Sequence, residues 1–377
     1  MKPFQFIILA LLAIGCQTKK ETPQQKEVKQ EKKHTSFFVG TYTDTISKGI
    51  YTYTLSEEGK LEKVGLAALT TNPSFLVKSF DHNYLLAVNE IDSNNGNGTV
   101  ESYNINGDSL KFISRSSSGG AHPCFITVNK NGNVLTANYT GGNIGLLQLN
   151  SEGVLSDLLD IQQHTGKGTK KQQNTAHAHS AWFEADNNNI ISVDLGTNEL
   201  WFSKLDTSQQ KLQFSSPKTL KMDEGAGPRH LSFHPNEKWI YSINELNSTV
   251  SLLEKTKNNT LEKKASFSTL PDGYTEDSYC ADIHISSDGK FLYASNRGHN
   301  SIAVFSINSE NGSLQSISHQ STKGNWPRNF SLSPDENYII VANQHSNNLV
   351  SLKRDATTGL LKFTDEISAP SPVCILF

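Results

Sequence analysis

Residues 280–307 read CADIHISSDGKFLYASNRGHNSIAVFSI. An apolar run meets the turn residues Asp288-Gly289-Lys290, and a second apolar run leads to Asn296. A polar loop and a third, alternating run follow. Strand, tight turn, strand, loop, strand describes an antiparallel hairpin with a third strand added at its edge. Five other stretches share the first part of this plan. They are 73–89 (PSFLVKSFDHNYLLAVN), 122–138 (HPCFITVNKNGNVLTAN), 178–194 (AHSAWFEADNNNIISVD), 228–244 (PRHLSFHPNEKWIYSIN) and 327–343 (PRNFSLSPDENYIIVAN). Each ends on an amide or acid anchor, and the anchors are spaced 49, 56, 50, 52 and 47 residues apart. Six units of equal internal length are a structural repeat.

Each anchor precedes a third run, such as TVESYNI at 99–105 or TVSLLEK at 249–255, and IYTYTL at 50–55 makes a seventh. A weaker fourth strand fits the variable stretch before the next unit. Four antiparallel strands per roughly 50 residues make a propeller blade, so the expectation is all-β, a single seven-bladed β-propeller. The last residues, 372–377 (PVCILF), match only the first strand of a unit. Residues 37–42 (FFVGTY) supply the missing second strand, so the termini share one blade and leave no open sheet edge.

Ahead of the propeller, Lys2 and the apolar run from Phe4 to Ile14 read as a signal peptide. About ten apolar residues are too few for a bilayer that needs roughly 20 in a helix. Leu12-Ala13-Ile14-Gly15-Cys16 resembles a lipobox, so residues 1–15 are expected to be removed and Cys16 to carry a lipid. Residues 16–35, rich in Lys, Glu, Gln and Thr, make a flexible tether. The propeller then spans 36–377. The expected location is the bacterial cell envelope, with the protein facing the periplasm and the lipid as its membrane contact.

Thirty-four Lys and Arg against 37 Asp and Glu give a net charge of −3, which argues against nucleic acid as a partner. With Cys16 lipidated, Cys124, Cys280 and Cys374 remain, each in an apolar run and without CxxC spacing. They read as core side chains, and no metal or cofactor site is expected. No Gly-x-Ser-x-Gly elbow, Walker loop or dinucleotide fingerprint is present.

In a hairpin, the start of the first strand and the end of the second lie at one end. The residue after each start and the residue after each anchor should therefore ring one mouth of the central channel. Those pairs are Ser74/Glu90, Pro123/Tyr139, His179/Leu195, Arg229/Glu245, Ala281/Arg297 and Arg328/Gln344. Three arginines, two glutamates and a histidine suit anion binding and acid–base work. His179, Arg229, Glu245 and Arg297 are the catalytic candidates, and Glu90, His230, His284, Arg328 and Gln344 are the substrate-binding ones. His177 reads as loop surface. The anchors, being amide or acid in every unit, read as structural.

Several stretches are more specific: VGTYT at 39–43, NPSFL at 72–76, ANYTGGN at 137–143, GPRHLSFHPNEKWIYSINELNSTV at 227–250, ADIHISSDGKFLYASNRGHNSIAVF at 281–305 and VANQ at 341–344. Together they resemble the propeller-type 6-phosphogluconolactonase family, to which the fungal muconate-lactonizing cycloisomerases are related. The resemblance covers residues 37 to 377. It implies a seven-bladed propeller that acts on lactones without a metal. It also implies a site of one histidine, two arginines and a glutamate, which fall on His179, Arg229, Arg297 and Glu245. The expected activity is hydrolysis of a sugar-derived lactone, with His179 activating water and the arginines holding the anion or oxyanion. The alternative is a non-catalytic envelope propeller that binds a partner protein or glycan. An exported member sits oddly with a cytosolic sugar phosphate, which leaves the identity of the lactone open.

Overall fold

The computed structural model describes residues 34–377 except positions 45 and 259, together with Met1 and Pro3. The signal peptide, Cys16 and most of the tether lie outside the described residues. Seven four-stranded antiparallel sheets surround a central axis, and the innermost strand of each touches those of its neighbours around a closed ring. Blade 1 combines Pro372–Leu376 as its inner strand with His34–Thr41, Gly49–Ser56 and Leu61–Leu69. Phe38 pairs with Leu376 and Gly40 with Cys374, so the ends of the propeller chain are hydrogen-bonded to each other. The inner strands of blades 2 to 7 are Leu76–Lys78, Pro123–Val128, Ala178–Phe183, Pro228–Phe233, Tyr279–Ile285 and Pro327–Leu332.

The hairpins form where the sequence places its turn residues. Ser79, Ser286 and Ser333 each donate a hydroxyl to the aspartate two residues on, at 2.6 to 2.7 Å, which closes the turn locally. One turn position is left-handed throughout: Gly132 and Gly289 occupy it in two blades, and His82, Asn187, Glu237 and Glu336 in four others. The core is divided into apolar layers between adjacent blades. Tyr241, Ile243, Leu292, Ala294 and Phe305 form one, and Phe37, Tyr53, Ile340 and Leu349 another.

The anchors do the structural work expected of them. Asn89, Asn138, Asn296 and Asn343 each donate Nδ2 to a carbonyl of the preceding connection, at 2.7 to 3.1 Å. In blade 4 the anchor is Asp194, which accepts from the backbone of His177 and Thr197 and meets His164 Nδ1 at 2.8 Å. His164 is buried, stacks on Trp201 at 4.3 Å and lies 3.2 Å from Ser192 Oγ.

Across the axis, Phe75, Phe125, Trp182 and His230 pack with centroids 4.6 to 6.5 Å apart, the His230 contacts edge to face and the Phe75–Phe125 and Phe125–Trp182 pairs tilted. These rings come from blades 2, 3, 4 and 5. They place an aromatic floor below Arg229, which meets the His230 ring.

Candidate active site

The register shifts by one residue near the start of the inner strands. The shifts lie between Pro123 and Phe125, Ala178 and Ser180, Pro228 and His230, and Pro327 and Asn329. Such a bulge leaves one residue out of the ladder and re-aims its side chain. The bulged residues are Cys124, His179, Arg229 and Arg328. His179, Arg229 and Arg328 therefore stand where the repeat register puts them. In blade 3 the register is one residue further on, so Cys124 replaces Pro123 in the ring. The same rule applied to the shared blade gives Val373 and Tyr42, the pair that a six-unit alignment leaves out.

Glu245 is the centre of the charged cluster. Its Oε2 lies 2.9 Å from Arg297 Nη2 and 3.1 Å from Arg229 Nε, and His179 Nε2 is 4.0 Å away. The Arg229 Nε contact is an ion pair without hydrogen-bond alignment. Burial works against the Glu245 carboxylate, but Arg297, Arg229 and Arg328 outweigh it and hold the group ionised below its ordinary range. Arg229 Nη1 donates to the Ala281 carbonyl. Burial and the nearby Arg297 push the Arg229 guanidinium down to about 10.

Arg297 is fixed from three sides. Nε and Nη2 donate to the carbonyls of Tyr279 and Cys280 at 3.3 and 2.9 Å, and the guanidinium lies 5.3 Å from the Trp326 ring centre. Trp326 has a φ of 68°, in the left-handed region that a bulky side chain rarely adopts, at about 1 kcal/mol or more. Its N–H donates to Asn300 Oδ1 and its ring stacks on His345 at 4.8 Å.

His179 is 4 % exposed. Burial, with Arg229, His230 and Arg328 nearby, pushes its imidazole well below the usual range, so it is neutral at pH 7. Its Nδ1 lies 3.6 Å from Cys124 Sγ, and Tyr139 meets its ring edge to face at 5.4 Å. His177 is half-buried, stacks on Tyr139 at 4.5 Å and holds its carbonyl, which corrects the reading of a plain surface residue.

On the far side of the mouth, Arg328 Nη2 donates to the Tyr42 hydroxyl at 2.7 Å, and that hydroxyl donates to Glu90 Oε2 at 2.7 Å. Burial and Glu90 raise the Tyr42 phenol well above its ordinary value, so it stays protonated. Gln344 holds the ring position beside Arg328, and its Oε1 has no hydrogen-bond partner among the described residues.

His230 and His284 are not in the ring. His230 lies in the aromatic floor, with Nδ1 3.0 Å from Asp282 Oδ1 and Nε2 3.4 Å from Arg229 Nη1. Burial and Arg229 push it down to about 4 despite the aspartate. His284, deeper in its strand, meets the other Asp282 oxygen at 3.1 Å. Burial opposes both partners of that contact, yet the two charges win: Asp282 sits far below the usual carboxylate range and His284 above the usual histidine value.

Sequence reasoning missed Asp282, whose partners come from blades 5, 6 and 7, and no local motif marks it. It also missed Tyr42, for which the repeat register carried a signal. Cys124, Cys280 and Cys374 are buried thiols, as expected. Among the described residues, no group of three or more His, Cys, Asp or Glu side chains is arranged to hold a metal ion.

With three guanidinium groups, two carboxylates and a neutral His179, the ring carries one net positive charge. That is suited to an anion or to an oxyanion that develops during reaction. The chain is 36% identical over 346 residues to a 6-phosphogluconolactonase of Bacillus subtilis, covering 90% of this chain and 97% of that one. It is 36% identical over 336 residues to a 6-phosphogluconolactonase of Formosa agariphila, covering 86% and 94%. Among solved structures, the periplasmic gluconolactonase of Pseudomonas aeruginosa superposes with a TM-score of 0.86 at 27% identity, covering 91% of this chain and 98% of that one. The family model for lactonases with a seven-bladed β-propeller matches residues 36–377, and the chain belongs to that family.

Proposed function

We propose that the protein hydrolyses a sugar-derived lactone to its acid, as a 6-phosphogluconolactonase-like carboxylic-ester hydrolase. The observation that carries this reading is the arrangement around Glu245: one half-buried carboxylate shared by Arg297 at 2.9 Å and Arg229 at 3.1 Å, with a neutral histidine at 4.0 Å. In this mechanism a water oxygen attacks the lactone carbonyl carbon and gives up a proton to His179. The carbonyl oxygen becomes an oxyanion facing Arg229 and Arg297. Collapse breaks the ring C–O bond, the leaving alkoxide takes the proton from the imidazolium, and the new carboxylic acid ionises. Glu245 holds the two arginines and stabilises the imidazolium while it exists.

A base that titrates well below 6.5 is a weaker base than a free imidazole, but it is present in its reactive form at every pH near neutrality. Activity is therefore expected to hold at pH 6. The test is hydrolysis of 6-phosphogluconolactone, unphosphorylated aldonolactones and a muconolactone by the chain from Ser36, corrected for spontaneous opening. His179→Ala is expected to lower turnover by about 10²–10⁴ and Arg297→Ala by about 10²–10³. Unchanged turnover in either variant would sink the assignment. The muconolactone arm tests kinship with the fungal lactonizing enzymes.

The propeller would act at the cell envelope, after removal of residues 1–15 and lipidation of Cys16, with 16–35 as the tether. The Pseudomonas relative described as periplasmic supports that location. Incorporation of a fatty-acid label that persists in Cys16→Ser would refute the anchor.

A further inference from the structure

We propose that Arg328, Tyr42 and Glu90 form a hydroxyl-recognition subsite that selects an unphosphorylated, polyhydroxylated lactone ring. The inference deepens the lactonase reading and rests on it.

The two halves of the mouth differ in what they leave unused. In blades 4 to 6 the cations are already engaged. Arg229 faces Glu245 and the Ala281 carbonyl, while Arg297 faces Glu245 and the carbonyls of Tyr279 and Cys280. In blades 7, 1 and 2, Arg328 makes one hydrogen bond, to the Tyr42 hydroxyl, and its guanidinium lies 5.2 Å from the centre of that ring. Tyr42 passes the bond on to Glu90 Oε2. Among the described residues, Arg328 Nε and Nη1 have no acceptor, and Glu90 Oε1 has no donor.

A donor edge and an acceptor oxygen joined through a neutral phenol are the complement of neighbouring hydroxyls. Each hydroxyl can accept from the guanidinium and donate to the carboxylate. A phosphate presents acceptors and up to two negative charges. It would meet Arg328 but would be repelled by Glu90. The charge distribution points the same way, since Arg328 and Glu90 cancel, while the single net positive charge lies with Arg229, Glu245 and Arg297. Two further uncharged polar atoms at ring positions of blades 2 and 7, Ser74 Oγ and Gln344 Oε1, are buried without partners among the described residues. Neither supplies a charge for a phosphate.

The experiment compares three lactones on the purified protein: glucono-1,5-lactone, its 6-phosphate, and δ-valerolactone, which keeps the ring and lacks the hydroxyls. The wild type is expected to favour gluconolactone in kcat/KM. Glu90→Gln and Arg328→Met should each lower kcat/KM for gluconolactone by about tenfold to hundredfold, mostly through KM. The ratio over δ-valerolactone should fall at least tenfold, and Glu90→Gln should improve the relative use of the phosphate. Tyr42→Phe removes one hydroxyl and should shift the ratio in the same direction, which decides the matter if the charge variants fail to fold.

Preference for the 6-phosphate, lost selectively in Arg328→Met, would overturn the proposal in favour of a phosphate site. Ratios that do not move in folded variants would also overturn it. Absence of turnover on every lactone would refute the hydrolase reading, and calorimetric titration with gluconate then judges the subsite alone. Binding that depends on Arg328 and Glu90 keeps it, and no such binding removes it.

Discussion

Replacing Glu245 by glutamine removes the negative charge that sits between two buried guanidinium groups while nearly preserving the shape of the side chain. Its Oε2 is 2.9 Å from Arg297 Nη2 and 3.1 Å from Arg229 Nε, and the arginines are 4 to 5 % exposed. At an effective dielectric of about 20, each contact contributes roughly 5 kcal/mol of gross attraction. Desolvation already offsets much of that, and removal of one partner from such a buried arrangement costs about 3–5 kcal/mol. At roughly 2.1 cal/mol/K per residue, a propeller of this size has an unfolding entropy near 0.7 kcal/mol/K, so Tm should fall by about 4–7 °C. The variant also leaves an anion-sized excess of positive charge. Sulfate or phosphate at 100 times its Kd should restore about 2.7 kcal/mol, most of the loss, by filling that position. Differential scanning calorimetry with and without 50 mM sulfate makes the comparison. A Tm shift below 2 °C, or an equal sulfate response in the wild type, would show that Glu245 does not hold the arginines as argued.

Three other consequences can be measured directly. The His230 imidazole is pushed down to about 4, below its unfolded value of 6.5, so its contribution to stability is complete above 6.5 and is lost as pH falls towards 4. That window is worth about 3 kcal/mol in urea unfolding, and a flat profile between pH 7 and 4.5 would refute it; His284, raised above 6.5, acts in the opposite sense on the alkaline side. The Cys280 and Cys374 thiols are pushed up to about 12 by burial, and Cys124 higher still. A thiol reagent at pH 8 should therefore label none of them in the native protein and all three after unfolding; labelling before unfolding contradicts the burial. Asp194→Asn should destabilise blade 4 by about 2–4 kcal/mol because His164 loses its acceptor, whereas the double variant with His164→Thr should regain at least half, since Thr70 with Asn89 and Thr269 with Asn296 already make that pair elsewhere. No recovery in the double variant would mean that the two sites are not interchangeable.

Most of the architecture was legible because each blade repeats the same order of apolar runs, turn and anchor. The meeting of His179, Arg229, Glu245 and Arg297 followed from the register, which a constant span between strand start and anchor preserves. Blade 3 departs by one residue because its bulge falls at Cys124, and nothing in HPCF announces where the extra residue will bulge. Tyr42 escaped because its blade is assembled from both termini and offers no contiguous unit to align. The electrostatics were not legible at all. Whether His179 titrates near 6.5 or well below depends first on its burial and then on Arg229, His230 and Arg328, which are brought beside it from two other blades. Trp326 is a further case: a sequence with tryptophan before proline gives no hint that the tryptophan backbone will be left-handed beneath a guanidinium.

The sharing of one blade by the two ends has a consequence beyond the absence of open edges. Tyr42 stands one residue past the strand that pairs with Pro372–Leu376, and its N–H donates to the Ser371 carbonyl at 3.1 Å. The phenol that connects Arg328 to Glu90 is thus mounted on the clasp. His179, Arg229, Glu245 and Arg297 belong to other blades, so of these groups Tyr42 alone depends directly on the fastening of the shared one. On the subsite proposed above, trimming the final strand would disturb substrate preference before it reached the Glu245 cluster, making that preference a readout of whether the ring is shut.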